Sequence, residues 1–119
     1  MNDRQKVGAQ GQKIAEEYLL KNNYQILEKN FRLGRLEIDI IALDQANSCR
    51  VFCEVKTRTS NLADINLKQD QIQRLKKAML IYSQKHGFSI DQCRLDYIEV
   101  FLHQKDQVAD LQHLKDILN

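Results

Sequence analysis

Apolar and polar positions recur along this chain with two different periods, and each change of period marks a new element. From about Asp3 to Asn22, Val7, Gly11, Ile14, Ala15, Tyr18 and Leu19 recur at helical spacing. That pattern predicts an amphipathic helix, ended by Asn22-Asn23. Gly8 and Gly11 lie inside it, lowering its propensity and permitting close approach of a neighbour. Tyr24, Ile26 and Phe31 predict a strand, with a turn at Leu33-Gly34. Two short apolar runs follow: Ile38, Ile40, Ile41, Ala42, Leu43, and Val51, Phe52, Cys53, Val55. Both are rich in β-branched or aromatic residues and short for a helix, so strands are expected over 37–44 and 50–57. The polar stretch from Thr57 to Leu67 predicts a loop. Ile72, Leu75, Met79 and Tyr82 then trace one face of a helix over 66–86, capped by Gly87. Arg94 to Leu102 predicts a strand with Ile98, Val100 and Leu102 on one face, and Leu111, Leu114 and Leu118 predict a short terminal helix. This order of elements predicts one α/β domain over 1–119, with helices covering a mixed sheet.

The central pair of strands carries the candidate chemistry. Asp44 to Arg50 contains Gln, Asn and Ser, which is turn material, so the simplest arrangement is an antiparallel hairpin. With its turn centred between Ala46 and Asn47, Asp39 lies opposite Glu54, and Glu37 opposite Lys56. Alternation puts Glu37, Asp39 and Ile41 on one face of the first strand, and Phe52, Glu54 and Lys56 on one face of the second. Two opposed carboxylates on apolar strands repel each other and disfavour the fold unless a cation lies between them. Lys56 supplies part of that charge, and a divalent metal would supply more. Mg²⁺ needs only one or two carboxylates, with waters and substrate phosphate completing its shell. A lysine on the same face can orient an attacking water or offset charge on a phosphate. The competing reading is a structural salt-bridge cluster in which Glu37 pairs with Lys56 and Asp39 is merely solvated.

Composition narrows the class. The chain is 43% hydrophobic and 29% charged, a balance ordinary for a soluble globular domain. No run approaches the length of a membrane span, and the first residues have no apolar signal region, so a cytoplasmic protein without a membrane partner is expected. Cys49, Cys53 and Cys93 show no metal-type spacing with each other or with the histidines, and reduced thiols are expected. The net charge of +2 implies little by itself, but Lys56 to Lys77 holds six basic residues against two acidic ones. That local bias suits either a nucleic-acid backbone or a solvated helix face.

Several segments together resemble a known family. They are the opening helix with Gly11, Ala15 and Tyr18-Leu19; Asn30-Phe31-Arg32 with Glu37-Ile38-Asp39-Ile40-Ile41-Ala42; Val51-Phe52-Cys53-Glu54-Val55-Lys56-Thr57-Arg58; and Cys93-Arg94-Leu95-Asp96-Tyr97-Ile98. The arrangement resembles the PD-(D/E)XK nuclease fold and, more narrowly, the YraN-like family of small bacterial proteins. That family is related by fold to archaeal Holliday junction resolvases and type II restriction endonucleases. The resemblance implies a restriction-endonuclease-like αβββαβ core. It implies that Asp39 and Glu54 are metal ligands for Mg²⁺ or Mn²⁺, and that Lys56 is the catalytic lysine. The sequence departs from the family pattern at four places, one of them the loop after Arg58, which is short and lacks the family's usual glycine. Ile38 replaces the proline of the motif, Leu36 replaces a glycine, and Gln12 replaces a glutamate on the first helix. Gln12 offers only a neutral oxygen, while Glu16 lies one helical turn away on the same face. Gln12, Glu16 and Glu37 are therefore the additional residues such a site would draw on.

Arg32 and Arg58 have the guanidinium fork that suits phosphate. Arg74, Lys76 and Lys77 are positioned to follow a nucleic-acid backbone or to form a solvated helix face. Tyr24, Tyr82 and Tyr97 sit in apolar patterns and are expected in the core. The functional expectation is a metal-dependent nuclease or DNA-binding protein, with branched DNA suggested by analogy alone. The alternatives are a catalytically inactive nucleic-acid-binding module and a structural or partner-binding protein that retains the fold. A homodimer is one expected assembly.

Overall fold

The computed structural model describes residues 3–59, 69–103 and 108–118. Helix α1 (Asp3–Lys21) leads into strands β1 (Tyr24–Leu33), β2 (Leu36–Asp44) and β3 (Cys49–Arg58). Helix α2 (Gln69–His86) and a single 3-10 turn (Ile90–Gln92) follow, then β4 (Cys93–His103) and β5 (Val108–Leu114). The five strands form one sheet in sequence order. Every neighbouring pair is antiparallel except β3 and β4. Parallel neighbours need a long crossover, and α2 lies in the chain between these two. No helix among the described residues is long and apolar enough to cross a membrane.

Strand alternation divides the core between the two sheet faces. On one face, Ala15 and Leu19 of α1 pack with Tyr24, Ile40, Ala42, Val51, Cys53, Ile98 and Val100. On the other, Leu75, Ala78, Met79 and Tyr82 of α2 pack with Ile38, Ile41, Phe52 and Leu95. The tyrosines expected in the core, Tyr24, Tyr82 and Tyr97, are all buried.

Ile38 and Ile41 share the α2 side although they are three residues apart. The alternation therefore slips between them, at Asp39. Asn30, in β1 between the pairs Lys29–Ile40 and Phe31–Ile38, has a left-handed φ of 50°. β1 and β2 join through the two-residue turn Gly34-Arg35, with Gly34 at φ 62°; glycine first suits a hairpin this short.

Two expectations need correction. The terminal segment is no helix through Leu111 and Leu114: it pairs with β4 as β5, from Tyr97–Leu114 to His103–Val108. Leu111 packs toward the α1 face while Leu118, beyond the strand, packs toward the α2 face. The leucine spacing thus joins two different contacts rather than one helical stripe. The Thr57–Leu67 loop was drawn too early, because Thr57 and Arg58 complete β3. Residues 60–68, including the expected first turn of α2, lie outside the described residues.

Candidate active site where two strands part

The β2–β3 ladder runs from Asp44–Cys49 to Ile40–Cys53 and stops there. One step further on, Asp39 faces Glu54 as the hairpin register requires. In place of a backbone ladder bond, the Val55 N–H donates to Asp39 Oδ2 at 2.8 Å. The carboxylate is therefore anchored by the neighbouring strand just where the strands separate.

Burial, which disfavours charge, pushes the Asp39 pKa up, while the Val55 N–H and Glu54 oppose that rise. Glu54 is pushed up to about 8, first by burial and then by the charge of Asp39. Glu37 adds to the rise, and the charge of Lys56 works against it. Such a pair holds one proton between two carboxyls or requires a cation in its place. Lys56 is exposed, two residues beyond Glu54 and on the same side of β3.

Glu37 does not pair with Lys56. Its Oε2 lies 3.5 Å from Arg32 Nη2, and both side chains are well exposed. The hairpin pairing ends before it reaches Glu37, so β1 rather than β3 supplies its partner. Arg32 is thus engaged on the β1–β2 hairpin.

On the other face, α1 approaches β3 closely. A Cβ at Gly11 would stand 1.8 Å from Thr57 Oγ1. This approach lets Gln12 reach the site: its Nε2 donates to the Asp39 carbonyl at 3.3 Å and to Glu16 Oε2 at 3.3 Å. Glu16 in turn binds Lys29 Nζ at 2.9 Å. Gln12 touches the backbone of Asp39, and Glu16 is held by a lysine.

β4 contributes a neighbouring cluster that the sequence did not announce. Its register sets Tyr97 beside Glu54 and Glu99 beside Lys56. Glu99 is fully buried and accepts from Arg58 Nε, while its Oε2 has no hydrogen-bond partner among the described residues. Burial and the Glu99 charge push the Tyr97 hydroxyl up to about 12, opposed by Arg58. Arg58 is therefore fixed by a buried carboxylate, and the 41-residue separation of this pair hides it from sequence patterns.

The basic residues of α2 diverge. Arg74 lines a cleft of about 160 Å³ together with Glu54, Glu37, Arg35, Leu36, Gln71 and others. Lys76 lines a different cavity, with Met79, Leu80, Ile90 and Asp91. Lys77 is exposed. Arg35 and Gln71 were missed in the sequence: a turn residue and a helix glutamine carry no motif.

Among the described residues no three His, Cys, Asp or Glu side chains surround a common point. The Asp39–Glu54 pair nevertheless fits a hard divalent cation chemically. It offers two half-buried carboxyls whose mutual repulsion a cation would relieve, and Mg²⁺ tolerates a shell completed by water.

Comparison with known proteins places the chain in a family. A "UPF0102 protein" of Chlorobium chlorochromatii is 39% identical over 125 residues, covering 97% of this chain and 92% of its own length. The UPF0102 protein TTE1452 of Caldanaerobacter subterraneus is 38% identical over 122 residues, covering 98% and 95%. Among solved structures, SfsA of Pyrococcus furiosus in complex with Ca²⁺ shows a distant likeness at 12% identity and a TM-score of 0.46. The match covers 94% of this chain and 64% of that one. Residues 11–100 match the profile of the uncharacterised protein family UPF0102, the YraN family of the resemblance, and the chain belongs to it.

Proposed function

We propose that this protein is a metal-dependent phosphodiester hydrolase acting on DNA, with a restriction-endonuclease-like core. The observation that carries this reading is the half-buried Asp39–Glu54 pair at the point where β2 and β3 separate. Asp39 and Glu54 would hold Mg²⁺ or Mn²⁺, which when bound supplies Lewis-acid activation of a phosphoryl oxygen or of water. The Val55 N–H holds Asp39 in orientation. Lys56 brings a positive charge to the Glu54 side of β3, where it offsets charge developing on the phosphate. Glu99 restrains Arg58 near the same strand end. A branched DNA substrate rests on the analogy with resolvases alone.

Gln12 supports a second reading. It sits against Asp39 where an acid would add a third anionic ligand, and its neutral amide suits a module that binds DNA without cleaving it.

The test is incubation of purified protein with duplex, single-stranded and four-way-junction DNA in Mg²⁺, Mn²⁺ or EDTA. Cleavage with either metal and none in EDTA is expected. Asp39→Asn should abolish both cleavage and the rise in Tm that metal produces by binding the folded state. Lys56→Ala should lose cleavage with its melting temperature kept. Binding of DNA with no cleavage at saturating Mn²⁺ selects the second reading. Neither binding nor cleavage defeats both.

A further inference from the structure

The cleft beside Glu54 has two walls of opposite origin. The β1–β2 turn supplies Arg35 and Leu36, and α2 supplies Gln71, Arg74, Leu75 and Ala78. Leu75 and Ala78 are core residues that close its inner side. The two arginines come from segments about forty residues apart in the chain, yet both border this one space. Arg35 is exposed and has no ion pair among the described residues. Among the described residues Arg74 meets Asp70, at 3.6 Å, with both side chains largely exposed; a pair of that kind holds an arginine weakly. A two-residue turn with a positive φ at its first position favours glycine there but makes no demand for a cation at its second.

We infer that Arg35 and Arg74 form a phosphate-binding subsite across this cleft, taking the backbone phosphate next to the one at Asp39–Glu54. This rests on the hydrolase reading and names two residues that would position its substrate. The cleft, of about 160 Å³, has room for a phosphate group. Two guanidinium forks from facing walls grip such an anion through paired N–H donors. Glu37 and Glu54 also border the cleft and would repel an anion if both were bare. Arg32 offsets the first, and Lys56 lies two residues from the second on the same side of β3. Arg35 and Arg74 are thus positioning residues, acting on the substrate's backbone rather than on the reacting atoms.

Salt-dependent binding tests the inference. The affinity of a fluorescent single-stranded oligonucleotide is measured in EDTA over a range of salt concentrations. The proteins compared are wild type, Arg35→Ala, Arg74→Ala, the double variant and Lys21→Ala, a control at the far end of α1. Each lost phosphate contact should lower the logarithmic salt slope by about 0.7. Both single variants should therefore weaken binding several-fold and flatten the slope, and the double variant should lose one phosphate contact rather than two. Arg35→Lys should restore the slope with only part of the affinity. All of these positions are exposed, and melting temperatures verify that the fold is kept. Wild-type slope and affinity in the double variant would overturn the subsite while leaving the hydrolase reading intact. A wild-type protein with no affinity for any DNA at low salt would overturn both.

Discussion

Glu54 shows how strongly one residue's chemistry depends on where the fold puts it. In water its carboxyl would ionise near 4.5; burial and Asp39 push it up to about 8. A carboxyl whose pKa rises on folding stabilises the native state below its unfolded value, and that contribution is lost as pH rises through the folded value. In EDTA the melting temperature should therefore fall from about pH 5 to pH 8. Glu54→Gln, which keeps the shape without the titration, should flatten that fall. Divalent metal should reverse the trend for wild type, since the ionised pair is the form that binds it and binding releases a proton. Thermal melts at several pH values, with EDTA and with Mn²⁺, check all three outcomes. An identical pH dependence in wild type and variant would show that the pair does not hold the proton. The meeting of Asp39 with Glu54 was legible in the sequence because a short hairpin connection fixes the register across it. The partners Gln12 and Glu99 were not, because contacts across sheet faces and parallel strands follow no local period.

At the scale of elements, the junction of α1 and β3 depends on Gly11. A methyl group there would collide with Thr57 Oγ1, Cγ2 and Cβ at 1.8, 2.6 and 2.7 Å. Thr57 is part of β3, so its Cβ cannot swing aside, and the helix must move. Gly11→Ala should gain helix propensity yet lose about 1–3 kcal/mol overall through overpacking. It should also draw Gln12 away from Asp39, which denaturant titration and hydrogen exchange at the Asp39 segment would reveal. Gly8→Ala is the control: nothing lies within 4 Å of its would-be Cβ, and no overpacking penalty should appear there. A stable Gly11→Ala would mean that the junction is looser than its geometry indicates.

Across the whole molecule, a buried polar network ties the end of the sheet remote from Lys56. Arg94 binds Asp96 at 2.8 Å, Asp44 at 3.0 Å and the Tyr24 hydroxyl at 2.8 Å. His113 Nε2 meets Asp96 at 2.6 Å, and its Nδ1 meets the Tyr18 hydroxyl at 2.8 Å. With the carboxylate accepting at Nε2, the Nδ1 of a neutral ring accepts from the tyrosine. The network joins α1, β1, β2, β4 and β5. Hydrogen bonds and Arg94 hold the pKa values of Asp44 and Asp96 down against the burial that would raise them. Their stabilisation is thus lost only as pH falls below the usual carboxylate range, outside the window proposed for Glu54. Arg94→Ala strands two buried carboxylates and should cost about 3–5 kcal/mol, measured by urea unfolding. A loss well below that range would mean that water replaces the arginine.

The sequence by itself determined the elements whose burial is periodic: α1, the three strands after it, most of α2 and β4. It also determined that Asp39 faces Glu54, because the hairpin closes over so few residues that the register has little freedom. Arg94 and Asp96 stand two residues apart on one strand, so alternation alone puts them on the same face, where they pair. Tertiary structure decided the rest. It made a strand of Val108–Leu114, because the open edge of β4 offered backbone partners that leucine spacing does not encode. It gave Glu37 to Arg32 and Arg58 to Glu99, and it brought Arg35 and Arg74 to the lining of one cleft. Those meetings depend on how α2 and β4 return along the sheet, and a chain read one residue after another holds no signal for which distant side chains such a return brings together.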